Sequence, residues 1–121
     1  MKHAPQLGQF EQTVLTAILR CGERAYGVPI HEAVEALSAR SVSPGAVYAT
    51  LDRLEDKALI NSWLSDPTPE RGGRARRYYR LERDGEVALR DSLIAARRLW
   101  EAVRAAGRKD LWSAMSIPVR P

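Results

Sequence analysis

The arginines carry the clearest chemistry in this sequence, because they are concentrated in one short stretch. Residues 70–83 hold six arginines and two acidic side chains, whereas residues 1–69 hold 6 basic and 8 acidic side chains. A guanidinium group presents parallel N–H donors and binds phosphate oxygens in a bidentate manner. The stretch therefore indicates a surface for a phosphate-bearing polyanion, although a merely solvated hairpin would have the same composition.

Residues that could carry catalytic or metal chemistry are sparse. Cys21 is the only cysteine, and His3 and His31 lie far apart in a sequence that has no other histidine. This leaves no Cys/His set for zinc and no Ser/His/Asp pattern for nucleophilic catalysis. Gly72-Gly73 interrupts a hairpin and does not join a strand to a helix, as a phosphate-binding loop would. We therefore expect no enzyme, no metal and no cofactor.

Length and composition point to one ordinary domain. The chain has 121 residues, of which 45% are hydrophobic and 28% charged, and its formal net charge is +4. No segment approaches the roughly eighteen apolar residues that a membrane span needs, and the first residues lack the apolar stretch of a signal peptide. These features predict a soluble cytoplasmic protein without membrane contact.

Hydrophobic periodicity predicts four helices and a hairpin. Segments at 59–64 and 76–81 are β-compatible and flank a break rich in proline and glycine. Ser43 before Pro44 marks the start of the third helix, because a hydroxyl N-cap and a first-turn proline favour helix initiation. Apolar residues recur at three- and four-residue steps in the four helical segments, which are residues 7–21, 29–39, 44–58 and 84–106.

Three helices followed by a two-stranded ribbon is the order of a winged helix-turn-helix. We predict a mainly α fold with a two-stranded β-wing, in which residues 1–83 form a DNA-binding domain, 84–107 a dimerisation helix and 108–121 a tail. In this fold the third helix enters a DNA major groove and the hairpin reaches the flanking backbone. The exposed side of that helix is predicted to carry Ser43, Gly45, Ala46, Tyr48, Ala49, Thr50 and Arg53.

The fourth helix carries an apolar stripe that calls for a partner. Its members follow the a/d spacing of helices that pack along one another, and they are Leu89, Leu93, Ala96, Trp100 and Val103. The stripe predicts a homodimer interface, where Leu93, Ala96, Arg97 and Trp100 are candidates for lining a ligand pocket. Trp100 is either a plain interface anchor or a platform that stacks on an aromatic ligand.

Four segments of the chain resemble the PadR-type transcriptional regulators with a short, single-helix C-terminal region. The similarity extends over about residues 7–105 and rests on AYGVPI (25–30), PGAVYATLDRLE (44–55), LI (59–60) and GGRARRYYRL (72–81). The resemblance implies a homodimer that binds a palindromic operator in double-stranded DNA and usually represses transcription. It also implies a small aromatic effector in some members, bound near the dimer centre.

Matching motif positions imply roles for individual residues. Tyr48 would contact a DNA phosphate, Ser43 and Thr50 the groove or its edge, and Gly73 with Arg74 the neighbouring minor groove. Charge alone adds Arg71 and Arg76. The predicted DNA-binding residues are therefore Ser43, Ala46, Tyr48, Thr50, Arg53, Arg71, Gly73, Arg74 and Arg76.

Two residues depart from the family pattern, and two interpretations stay open. Ala58 replaces a usual glycine, which argues against a left-handed cap there, and Glu82 replaces a usual threonine, so that Asp84 is expected to cap the fourth helix. Tyr26 is interpreted as a packing residue, with a phosphate contact by its hydroxyl as the alternative. Because the third helix is nearly neutral, the alternative function is a protein-interaction or ligand-sensing module that does not bind DNA.

Overall fold

The structure is a computed structural model that describes residues 6–67 and 72–111. The fold is mainly α with a two-stranded antiparallel wing, as predicted. Its elements in chain order are α1 (Gln9–Cys21), a short 3-10 turn (Gly22–Arg24), α2 (Gly27–Ser38), α3 (Pro44–Asp56), β1 (Ile60–Leu64), β2 (Arg77–Leu81) and α4 (Arg83–Ala105).

One hydrophobic core joins the helices to the base of the wing. The fully or nearly fully buried side chains come from every α-helix and both strands, and they include Val14, Leu15, Ile18, Ile30, Val34, Val47, Leu51, Leu54, Ile60, Tyr79 and Leu89. The beginning of α4 belongs to this core, because Gly85, Ala88 and Leu89 are buried. A methyl group on Gly85 would lie 2.0 Å from the carbonyl oxygen of Leu59, so only glycine permits this approach of α4 to the wing.

The wing is attached to the helices through a third short segment. β1 and β2 pair in a register that places Ile60 opposite Leu81 and Trp63 opposite Tyr78. An isolated antiparallel bridge pairs Tyr26 with Tyr78, and the N–H of Tyr79 donates to the carbonyl oxygen of Ala25 at 2.9 Å. The connection between α1 and α2 therefore lies beside β2 like the beginning of another strand.

Local signals set both ends of α3. The N–H of Ala46 donates to the Ser43 hydroxyl at 3.1 Å, which confirms Ser43 as the N-cap. After the helix Ala58 adopts a left-handed φ of 60°, so the expectation that alanine would remove this cap is wrong. The N–H groups of Ala58 and Leu59 donate to the carbonyls of Glu55 and Leu54, the two bonds of a Schellman motif. These bonds and the burial of Leu54 and Leu59 outweigh the strain on alanine.

The start of α4 also differs from expectation. Its N-cap is Glu82, whose N–H donates to the Leu59 carbonyl at 2.9 Å and whose carboxylate accepts a hydrogen bond from Asn61. The prediction that Asp84 caps this helix is therefore wrong, because pairing with the wing begins the helix earlier. Asp84 lies in the first turn, where a negative charge interacts favourably with the helix dipole.

Neither a membrane-spanning helix nor a metal-binding cluster occurs among the described residues. No helix in ranges 6–67 and 72–111 has the length and apolar character needed to cross a bilayer. The same ranges hold no group of three or more His, Cys, Asp or Glu side chains placed to bind a metal ion.

Candidate nucleic-acid interface

The exposed face of α3 is small and polar at its start. Ser43, Gly45, Ala46 and Ala49 are all exposed, and their short side chains leave the helix backbone accessible. Tyr48 stands out from this face with 47% of its surface exposed. Small residues beside one protruding tyrosine allow a helix to approach the floor of a major groove closely.

Thr50 is not on this face, and its predicted exposure is wrong. Its surface is only 1% exposed, because it lies one helical turn from Val47 and from Leu54 and shares their buried side. Its hydroxyl accepts a hydrogen bond from Nη2 of Arg53 at 2.9 Å. Thr50 therefore restrains an exposed arginine at the surface and cannot itself reach a DNA groove.

A surface groove of about 540 Å³ lies where α3, the start of α2 and β2 meet. It brings together three of the predicted DNA-binding residues, Tyr48, Arg74 and Arg76, although Tyr48 is at least 26 positions away in the sequence. The complete lining is Tyr26, Gly27, Val28, Tyr48, Arg74, Ala75, Arg76, Arg77 and Tyr79. Guanidinium groups and a phenol hydroxyl facing one cleft form a surface suited to phosphate oxygens.

Tyr48 is held in this groove by close packing against Gly27. A methyl group built on Gly27 would lie 2.1 Å from the Tyr48 hydroxyl oxygen, so the ring occupies space that any other residue would fill. Sequence reasoning did not assign Gly27 to the site. The available signal was its place in the AYGVPI segment at the start of α2.

Tyr26, which lines the groove, is the first of a row of three aromatic rings that continues through Tyr78 to Trp63. The edge of Tyr26 meets Tyr78 with ring centroids 5.4 Å apart, and Tyr78 stacks on Trp63 at 6.0 Å. A guanidinium covers each end of the row, since Arg76 lies 4.1 Å from the centroid of Tyr26 and Arg80 lies 5.4 Å from that of Trp63. Tyr26 thus packs against Tyr78, and its ring also lines the groove.

Comparison with known proteins decides the family. The profile described as the transcriptional regulator PadR-like family matches residues 14–91. The chain belongs to this family. PadR-family members are transcriptional regulators and not enzymes, so a DNA-binding regulator is the class of this protein. A comparison with curated proteins finds no match.

Solved structures share the PadR fold over most of their length. A PadR-like transcription factor from Bacteroides fragilis is 25% identical, with a TM-score of 0.65 over 82% of this chain and 90% of that one. A PadR-like regulator from Bacillus cereus is 22% identical, with a TM-score of 0.65 over 81% and 90%. RosR from H. salinarum is 24% identical, with a TM-score of 0.60 over 92% and 99%.

In this PadR-family chain a series of polar contacts connects α3 to the wing. Nη1 of Arg77 donates to the Ser62 hydroxyl at 2.8 Å, and that hydroxyl donates to the Glu55 carboxylate, 2.8 Å from its nearer oxygen. The contacts join β2, β1 and the end of α3. They fix the wing arginines relative to the helix that carries Tyr48.

The described part of the wing tip includes two predicted DNA-binding residues, Gly73 and Arg74. Gly73 has a φ of +78°, a left-handed conformation that favours glycine, and Arg74 beside it is exposed. Arg71 lies outside the described residues. Arg77 and Arg80 were not predicted as site residues. The contacts of Arg77 with Ser62 and of Arg80 with Trp63 depend on the register between the two strands, and the spacing of arginines in the sequence does not reveal that register.

Beyond its first turns α4 exposes apolar residues. Leu93 is 53% and Leu99 71% exposed, and Ile94 and Trp100 are also exposed. Of the other residues of the predicted stripe, Ala96 is exposed, as is neighbouring Arg97, and Val103 is half-buried. Leu89 is 4% exposed, and its predicted place in a dimer interface is wrong, because the core of its own protomer already covers it.

Proposed function

We propose that this PadR-family regulator binds a palindromic operator as a homodimer, represses transcription, and is released from DNA by a small aromatic effector. The observation that carries the proposal is the groove in which Tyr48 of α3 faces Arg74 and Arg76 of the wing. A helix that enters the major groove and a basic wing beside it are the two contacts that winged helices make with DNA.

Within this proposal the DNA contacts divide by chemistry. Arg74, Arg76 and Tyr48 bind backbone phosphates, and these contacts supply most of the affinity without selecting a sequence. The exposed start of α3 reads base edges through short side chains, chiefly Ser43 and Ala46, with Arg53 at the far end of the face. Gly73 allows the wing tip to approach the minor groove, and Arg71 adds positive charge to the same wing.

The second part of the proposal places a two-fold axis at α4. A helix of 23 residues is about 34 Å long, and only its first turns pack into the domain. Leu93, Ala96 and Trp100 are all exposed, and their three- and four-residue spacing places them on one side of the helix as an apolar stripe. A two-fold dimer presents two copies of α3 to two half-sites, which is the geometry of a palindromic operator.

The effector belongs to the same interface. Trp100 offers a flat apolar face and Arg97 a cation on the adjoining turn, and together they suit a planar aromatic acid. An effector that binds one arrangement of the two α4 helices better than the other shifts the dimer toward that arrangement. DNA release follows when the favoured arrangement no longer matches the half-site spacing.

The first test is a fluorescence-anisotropy titration against DNA from upstream of the protein's own gene and against a scrambled duplex, at two salt concentrations. The expected result is preference for the upstream fragment and an affinity that falls steeply with salt. Arg74→Ala/Arg76→Ala should weaken binding to both duplexes, whereas the exposed Arg20→Ala on α1 should not. Unchanged affinity in the double variant would refute the wing assignment.

The effector is tested on the protein–DNA complex. A panel of phenolic acids should release the wild-type protein from its operator, and Trp100→Leu should reduce that response while retaining DNA binding. If every acid leaves the wild-type affinity unchanged, this class of effector is wrong and the DNA-binding proposal still stands.

A further inference from the structure

We propose that Tyr26 is a positioning residue for DNA binding: its ring holds the Arg76 guanidinium in the orientation that meets a backbone phosphate. The inference rests on the proposed function, because it takes the groove between α3 and the wing as the DNA-facing surface. The connection between α1 and α2, which contains Tyr26, would then contribute to DNA binding through the position of Arg76.

Tyr26 is held from several directions. Its N–H donates to the Arg24 carbonyl at 3.0 Å, and its backbone pairs with that of Tyr78 in the isolated bridge. Its ring meets Tyr78 edge-on, and Tyr78 in turn stacks on Trp63. A ring restrained through both backbone and side chain is a fixed surface on which a mobile side chain can settle.

Arg76 is held both by its backbone, which is hydrogen-bonded to Ser65, and by its guanidinium group, which lies over the Tyr26 ring. Its N–H donates to the Ser65 hydroxyl at 3.1 Å, and its carbonyl accepts from the Ser65 N–H at 2.8 Å. Its guanidinium carbon lies 4.1 Å from the Tyr26 centroid, well within cation–π range. A guanidinium stacked on a ring keeps its edge N–H groups directed outward, so they remain available to phosphate oxygens.

Arg77 and Arg80 make different contacts. Arg77 donates to Ser62 and serves the contact between the wing and α3. Arg80 covers Trp63 at the other end of the aromatic row, and it is not among the residues that line the groove. Arg76 combines a ring contact with a place in the groove, and prior ordering lowers the conformational entropy that phosphate binding would otherwise cost.

The test compares Tyr26→Leu, Tyr26→Phe, Arg76→Ala and Tyr26→Leu/Arg76→Ala by anisotropy across a salt series. The probe is a labelled mixed-sequence duplex of about 30 base pairs, enough for two half-sites one helical turn apart. Leu37→Ala is the control, because it removes an exposed apolar side chain from the far end of α2, outside both the aromatic row and the lining of the groove. Thermal unfolding of each variant is measured in parallel.

Tyr26→Leu should weaken binding about three- to tenfold, the fold-change expected from a cation–π contact. Tyr26→Phe should retain nearly wild-type affinity, because the ring remains. Arg76→Ala should reduce the salt slope by about one if Arg76 neutralises a single phosphate. Adding Tyr26→Leu to Arg76→Ala should weaken binding little further, since Tyr26 acts through Arg76. Leu37→Ala should bind like the wild type.

Four outcomes would overturn the inference. If the effects of Tyr26→Leu and Arg76→Ala add fully, the two residues act independently. If Tyr26→Phe binds as weakly as Tyr26→Leu, the hydroxyl contacts phosphate itself. If Arg76→Ala binds like the wild type, Arg76 is not a phosphate ligand, and the wing part of the proposed function fails together with the inference. If Arg76→Ala weakens binding but Tyr26→Leu binds like the wild type, only the positioning role of Tyr26 is rejected.

Discussion

Single residues in this protein act mainly by shaping the surroundings of others. Gly27 contributes no side chain, yet the position of Tyr48 depends on that absence. Thr50 is buried, yet its hydroxyl restrains the exposed Arg53. At this scale a substitution can change DNA binding without touching DNA.

Gly27→Ala should separate binding from stability. Alanine at the first position of α2 favours the helix, but its methyl group would lie 2.1 Å from the Tyr48 hydroxyl oxygen and would displace the end of that ring. Because the ring can rotate away, the stability to unfolding should change little. Moving the hydroxyl away from the phosphate that it is proposed to contact should weaken DNA binding about tenfold. Thermal unfolding and anisotropy measure the two effects. Gly8→Ala has an ordinary contact at 3.8 Å and should bind normally; equal affinity in both variants would contradict the role of Gly27.

At the scale of elements, hydrophobic periodicity predicts the helices but does not predict the residues at which they begin and end. Ser43 before Pro44 correctly predicted the start of α3, because both signals act within one turn. The Schellman motif at Ala58 and the cap at Glu82 depend instead on burial of Leu54 and Leu59 and on hydrogen bonds to Leu59.

The left-handed conformation of Ala58 predicts that replacing alanine by glycine stabilises the fold at this position, although the same replacement within a helix destabilises it. Ala58→Gly should stabilise the fold by about 0.5–1 kcal/mol, because glycine has no Cβ to strain at φ 60°. Ala49→Gly on the exposed face of α3 should destabilise it by about 1 kcal/mol, as glycine does within helices. Urea unfolding midpoints compare the two variants, and a decrease in stability in Ala58→Gly would show that the alanine is not strained.

Glu11 links α1 to the end of α3 and makes that link pH-dependent. Burial alone would raise the pKa of this carboxyl, but hydrogen bonds from Lys57 and from the Gly8 N–H outweigh it and hold the pKa below the ordinary value of 4.5. The carboxylate is 2.7 Å from Nζ of Lys57. Its stabilisation is fully present above the unfolded pKa and is lost as pH falls through the lower folded pKa.

Glu11→Gln should therefore be less stable than the wild type near neutral pH, by about 1 kcal/mol. The difference should shrink as the pH falls below about 4.5. Chemical unfolding of both proteins between neutral pH and about pH 3 measures it. In a Lys57→Met background the Glu11→Gln effect should be smaller, and a difference that stays constant with pH would exclude the carboxylate as its source.

At the scale of the whole molecule, the sequence predicted which elements form but not how each is rotated in the core. The α3 periodicity placed Val47 and Leu51 correctly and Thr50 on the wrong face, because a short polar side chain gives no hydrophobic signal. The apolar stripe of α4 keeps the same three- and four-residue spacing along its whole length. This spacing therefore does not show that Leu89 belongs to the core of the protomer and Leu93 to its surface. The stacking of Arg76 on Tyr26 depends on pairing between residues fifty positions apart.

The exposed part of α4 makes a prediction about assembly. Leu93→Asp places a charge on the apolar surface and should convert the proposed dimer to a monomer at micromolar concentration, with weaker binding to a full palindrome. Leu64→Asp makes the same change at an exposed leucine of the wing and should leave the dimer intact. Light scattering measures both masses, and a wild-type protein that is already monomeric would refute the α4 interface.

Gly85 has a mechanical consequence for the whole molecule. The Leu59 carbonyl oxygen occupies the space that a side chain on Gly85 would fill, and it also accepts a hydrogen bond from the N–H of Glu82. α4 and the wing therefore have no room to slide past each other. α4 is thus a lever arm whose fixed end lies at the base of the wing. Because Arg77, Ser62 and Glu55 also join the wing to α3, we expect a tilt of the far end of α4 to turn the wing and α3 together.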